Sequence, residues 1–107
     1  MIRALKPLVR AAAKVSDRLM GPRPASLPEL AHIRRVMGAQ VLDCELRAAR
    51  RVRDHLARAN TPMQLWLLRA EIYQAVADEF GQPEAQRRVE RLAPLFDGLL
   101  PARQRAA

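Results

Sequence analysis

Residues 26–62 read SLPELAHIRRVMGAQVLDCELRAARRVRDHLARANTP, and the fold turns on this stretch. It opens on Ser26-Leu27-Pro28-Glu29, the S-x-x-E form of a capping box. Such a box pairs the Ser hydroxyl with the backbone N–H of Glu29 and returns the Glu carboxylate to the Ser N–H. From there Leu30, Ile33, Met37, Val41, Cys44, Ala48, Val52, His55 and Ala59 follow three or four apart, the spacing of one helix face. Leu42, Leu46, Ala49 and Leu56 widen the stripe on one flank. The spacing predicts a single helix over about 27–59, roughly 50 Å long at 1.5 Å per residue. Gly38 is its one weak point, at about 1 kcal/mol against Ala, and a place to bend.

Working outward, Asn60-Thr61-Pro62 ends that helix and starts another. Asn60 suits a left-handed C-terminal cap, Thr61 an N-cap with Gln64 as the partner in a second capping box, and Pro62 the first turn. The third helix, about 62–80, is apolar almost all round. Met63, Trp66, Ala70, Tyr73, Ala77 and Phe80 form one stripe, and Leu65, Leu68, Ile72 and Val76 another. It is expected to be the most buried element. Gly81 stops it, and Pro83 opens a fourth helix over about 83–97, with Ala85, Val89, Leu92 and Phe96 inward; Pro94 limits or bends its end, and Gly98 or Pro101 finishes it. Towards the N-terminus, Leu8, Val9, Ala12, Val15 and Leu19 lie opposite Arg10, Lys14, Asp17 and Arg18, an amphipathic helix from Pro7 to Met20. Gly21-Pro22-Arg23-Pro24-Ala25 then reads as a stiff linker.

The expected fold is all-α. Three core helices within 26–100 form an antiparallel bundle, because the turns near residues 60 and 82 are short. Residues 1–25 add the amphipathic helix on its Pro-rich linker, and 101–107 are a short basic tail. A 50 Å helix overhangs a domain whose radius of gyration should be about 13 Å. Either it bends at Gly38 or its surplus seam is covered, most simply by a second copy in a homodimer.

Composition narrows the function classes. The chain has 107 residues, half of them apolar, with only four aromatic side chains and one Cys. A lone Cys excludes an internal disulfide framework and a Cys-rich zinc site. No apolar run approaches the roughly 20 residues of a transmembrane helix. The net charge is +8, unevenly spread. Residues 1–25 hold six basic side chains against Asp17, 26–60 seven Arg against four acids, and 61–100 four Arg against six acids. The 17 arginines against two lysines point to a GC-rich genome, and a bacterial, cytoplasmic protein is expected.

Chemistry-bearing patterns are sparse. Glu29-Leu30-Ala31-His32 matches E-x-x-H, half of a di-iron bundle motif, but no second pair exists and Glu29 has a capping role. Cys44 and His55 lie about 16 Å apart along a helix, too far for a dyad. There is no glycine-rich phosphate loop and no Ser/His/Asp set, so neither enzyme activity nor a cofactor is expected. Residues 76–89 resemble the helix-turn-helix of bacterial regulators in the Ala four residues before Gly81, with Gln86, Arg87, Arg88 and Arg91 on the second helix. They depart from it at Gln82 and Arg87, where that motif carries apolar residues. Residues 66–94 resemble one tetratricopeptide-type hairpin through Trp66, Ala70, Tyr73 and Ala85, without a repeat.

The leading expectation is a non-catalytic helical protein–protein interaction module, an adaptor, assembly factor or small chaperone-like subunit that self-associates. Its partner interface would use Leu8, Ala12, Val15 and Leu19 of the first helix and Met37, Val41, Cys44 and Val52 of the second. The first helix also has the basic, amphipathic character of a weak membrane-surface contact. The alternative is a small basic nucleic-acid-binding protein using Arg47, Arg50, Arg51, Arg58, Arg87, Arg88 and Arg91 against phosphate. Asp43–Arg47, Arg50–Asp54 and Asp54–Arg58 are each four apart, which would neutralise part of that face. No aromatic side chain interleaves with those arginines for base stacking.

Overall fold

A computed structural model describes residues 21–101. The predicted helix over 7–20, with Leu8, Ala12, Val15 and Leu19, and the tail beyond 101 lie outside the described residues. All regular structure among those described is helical. The elements are α1 (Leu27–Ala39), α2 (Leu46–Arg58), α3 (Pro62–Leu67), α4 (Arg69–Phe80), α5 (Gln82–Glu90) and a 3-10 turn at Ala93–Phe96. They fall within one compact unit, Ala25–Phe96. A second unit takes in 21–24 and 97–101, where the Arg23 N–H donates to the Gly98 carbonyl at 2.9 Å.

The capping box forms as its spacing requires. The Glu29 N–H donates to Ser26 Oγ at 3.2 Å, and the Ser26 N–H to Glu29 Oε1 at 3.1 Å. The helix it starts, however, is not 33 residues long. It ends at Ala39, and Gln40–Glu45 form a connecting turn before α2. Through this turn the N–H groups of Gln40, Val41, Leu42 and Cys44 donate to the carbonyls three residues back, at 3.1 to 3.4 Å. Bonds of that span wind the chain more tightly than an α-helix. Val41 and Cys44 are three apart, so the apolar spacing runs through the break unaltered. That is why periodicity alone could not reveal it. Gly38 remains helical, and the break falls just after it.

Beyond the break the buried stripe on α2 is Ala49, Val52 and Leu56, continued by the buried Ala59 just past its end. Ala48 and His55, expected on the seam, are only half-buried. Arg34 of α1 holds the far end of α2: its Nε donates to the Leu56 carbonyl at 3.2 Å and its Nη2 to the Ala59 carbonyl at 2.6 Å. The Leu56 carbonyl, which also accepts from the Ala59 N–H at 3.2 Å, and the Ala59 carbonyl both lie at the helix end, where a cation complements the helix dipole. Asn60 is not a left-handed cap, since no non-glycine residue has positive φ among those described. Its N–H is instead met by Gln64 Oε1 at 2.7 Å, while Thr61 Oγ1 accepts from the Gln64 N–H at 3.1 Å.

The predicted third helix is interrupted once, at Leu68, whose N–H turns to the Leu65 carbonyl at 3.1 Å. It is not wrapped by protein all round, as its composition had implied: Leu67 and Phe80 are exposed, and the core takes Leu65, Trp66, Ile72, Ala75 and Val76. Gly81 ends α4 with φ 90°, and α5 begins at the next residue. The fourth helix stops short of its expected end because the Pro94 ring conflicts with the carbonyl four residues earlier, at Glu90. Glu90 is the last residue of α5, and the Pro-containing segment forms the 3-10 turn. Neighbouring packings run α1 on α2, α1 on α3, α2 on α4, α3 on α4 and, most extensively, α4 on α5. The core centres on Ile33, Met37, Val41, Leu65, Ile72, Val76, Leu92 and Phe96. The Trp66 and Phe96 rings meet edge-on with centroids 5.0 Å apart, a favoured aromatic geometry.

Candidate functional site: an arginine-rimmed groove

Four of the expected interface residues are internal. Met37 and Val41 are fully buried, Val52 is 2% exposed and Cys44 9%. They pack inside Ala25–Phe96 because the turn at Gln40–Glu45 folds the seam upon itself. The surplus seam that called for a second copy is therefore covered within the chain. Burial pushes the Cys44 thiol up, with the Glu79 and Asp43 carboxylates adding to the effect. A thiol held in that state is a poor nucleophile.

The seven arginines proposed for phosphate contact separate into two groups. Arg88 faces inward, with its side chain 13% exposed. Its Nη1 and Nη2 clasp the two Asp43 oxygens at 2.7 and 2.9 Å, Nη1 also donates to the Gln40 carbonyl at 3.0 Å, and Nε donates to Glu84 at 2.7 Å. The guanidinium also lies 4.9 Å from the Phe80 ring centre. Asp43 thus bonds across the fold to Arg88 and not to Arg47, four residues along. The Arg88 hydrogen bond holds the Asp43 carboxyl below its ordinary range, and Arg88 and Arg87 do the same for Glu84. Arg87 is paired with Glu84 at 2.5 Å and Arg58 with Asp54 at 3.3 Å. Arg47, Arg50, Arg51 and Arg91 are exposed and have no ion pair with a described residue. Two further charged groups have partners in the fold: His55 Nδ1 lies 2.8 Å from the Glu71 carboxylate on another helix, and Arg69 sits 3.3 Å above the Trp66 ring.

The feature that remains open is apolar. Between α1 and α2 lies a groove of about 490 Å³, lined by Gly38, Ala39, Leu42, Leu56 and Ala57 and flanked by Arg34, Arg35 and Arg53. Its origin is local. The turn at Gln40–Glu45 brings α1 and α2 together, and the small side chains of Gly38, Ala39 and Ala57 leave the space between them unfilled. Leu42 on the turn is 63% exposed, and Leu46, the first residue of α2, 58%. Arg34 is committed to the end of α2, whereas Arg35 and Arg53 have no carboxylate partner among the described residues. Sequence reasoning missed this site because it read 27–59 as one helix, bent at most at Gly38, and had no means to place Arg35 and Arg53 on the two sides of a turn. The available signal was the outward flank of Leu42 and Leu46 beside a run of small residues.

No described helix is long and apolar enough to cross a membrane, and no group of His, Cys, Asp or Glu among the described residues is placed to hold a metal ion. Comparison with protein-family models, with curated proteins and with solved structures finds no match for this chain.

Proposed function

We propose that this chain is a non-catalytic protein–protein interaction module, its helices forming an antiparallel bundle that presents the α1–α2 groove. The single observation behind this reading is the groove itself. An open, almost wholly apolar hollow walled in part by the exposed Leu42 is a surface that water covers at a cost, and such patches mark interaction sites. The short connections at Asn60–Thr61 and Gly81 support the antiparallel arrangement of successive helices. With the seam residues buried, the proposal rests on the groove and no longer on a long overhanging helix.

The test is photo-crosslinking in cells of the source organism, with a benzoylphenylalanine at Ala57 in the groove and, as control, at the exposed Gln74 of α4. A discrete protein adduct at Ala57 and not at Gln74 is the expected result. Equal adducts at both positions, or none at either, would remove the reading.

One observation favours nucleic acid as a second reading: Arg47, Arg50 and Arg51 stand exposed and unpaired, among the described residues, on α2. Binding to generic DNA or RNA that weakens steeply with salt would support it.

A further inference from the structure

We infer that the α1–α2 groove takes an acidic amphipathic helix from a partner protein; this rests on the interaction-module reading and names the partner's chemistry. The wall supplies apolar contact. Gly38 and Ala39 on α1 and Ala57 on α2 are small, and Leu42 and Leu56 give the hollow its greasy surface. A volume near 490 Å³ falls within the range of ordinary ligand pockets, about 300–1,000 Å³. It suits a few apolar side chains from one face of a helix, the mode in which residues spaced three and four apart enter a groove. The apolar wall argues for a peptide over a phosphate backbone, which would leave it uncovered.

The rim selects the charge. Arg35 stands on the α1 side and Arg53 on the α2 side, both exposed, and neither is neutralised by a described carboxylate. Asp54 is engaged with Arg58, and Asp43 with Arg88. Residues 1–25 hold six basic side chains and one acid, and the tail beyond 100 holds Arg103 and Arg105. Both segments would bring like charge to the rim. A second copy seated through a two-fold axis would set the Arg35/Arg53 pair against itself, since such contacts use the same patch twice. An occupant whose apolar stripe is bordered by Glu or Asp satisfies wall and rim together.

The experiment is fluorescence anisotropy with the full chain and three labelled probes. These are a synthetic helix with leucines at i, i+3, i+4 and i+7 flanked by glutamates, the same peptide with lysines for the glutamates, and a single-stranded DNA of similar length. The acidic peptide should bind about tenfold more tightly than the lysine peptide, with affinity falling as salt rises. The double variant Arg35→Glu/Arg53→Glu should reverse that preference, and Ala57→Trp, which fills the groove, should weaken the acidic peptide about tenfold or more. Arg35→Gln/Arg53→Gln serves if the double reversal lowers the melting temperature, and should erase the preference. Equal binding of the two peptides, or a preference unmoved by the rim variants, would overturn the inference. So would rim variants that abolish DNA binding while neither peptide binds. Tighter binding of the lysine peptide or of a labelled second copy of the chain, lost in Ala57→Trp, would sink the acidic partner and leave the interaction module standing. No binding by any peptide together with no crosslink from Ala57 would sink both.

Discussion

Arg88 illustrates how a residue's neighbours in space can overrule its neighbours in sequence. On its helix it looks like one of a basic trio with Arg87 and Arg91. In the fold its guanidinium is enclosed by Asp43, Glu84, the Gln40 carbonyl and the Phe80 ring. The planar fork matches the Asp43 carboxylate through two parallel bonds, which a lysine cannot reproduce. The linkage has a definite sign. Asp43 and Glu84 titrate in the folded chain below their ordinary values of 3.8 and 4.5. Their contribution is therefore complete above about pH 5 and disappears as pH falls through the lowered folded values. Arg88→Met keeps the apolar stem near Phe80 and removes the charge. Its urea midpoint should change less between pH 7 and pH 3 than that of the unaltered chain. Equal acid sensitivity in the two proteins would refute the linkage.

Among elements, the starts were more legible than the ends. The N-caps Ser26 and Thr61 act within three residues of themselves, so local sequence suffices to find them. Gly81 and Pro94 are similarly local stops, one by conformation and one by a missing N–H and a ring clash. Gly81 holds φ 90° and ψ 164°, a region nearly reserved for glycine, where other residues are strained by about 1–3 kcal/mol. Gly81→Ala should destabilise the chain by that amount in denaturant titration, although the added methyl would meet only Pro83 Cδ at 3.8 Å. An unchanged midpoint would show that the α4–α5 turn relaxes freely. The break at Gln40–Glu45 has no such local cause. The turn is held by Arg88 reaching Gln40 and Asp43 from 48 and 45 residues away, and by the Glu79 carboxylate accepting from the Glu45 N–H.

At the scale of the molecule, that break decides which apolar residues are core and which are surface. Met37 is the sharpest case, expected at an interface and found fully buried. Met37→Ala should cost about 2–5 kcal/mol, the usual range for emptying a packed site, with no change in the mass measured by light scattering. A small loss of stability with a change in mass would return Met37 to an interface. The break also sets Arg35 and Arg53 on facing rims of one hollow, which a continuous helix would have kept apart. What the amino-acid sequence determined by itself was the all-helical class, the capped starts of α1 and α3, and the stop at Gly81. Each depends on dihedral preference or hydrogen bonds within a few residues. What only the tertiary structure decided was the turn at Gln40–Glu45, the inward fate of Arg88, Met37 and Val41, and the groove. An interval of three residues fits an α-helix and a tight turn equally well, and only contacts from distant residues choose between them.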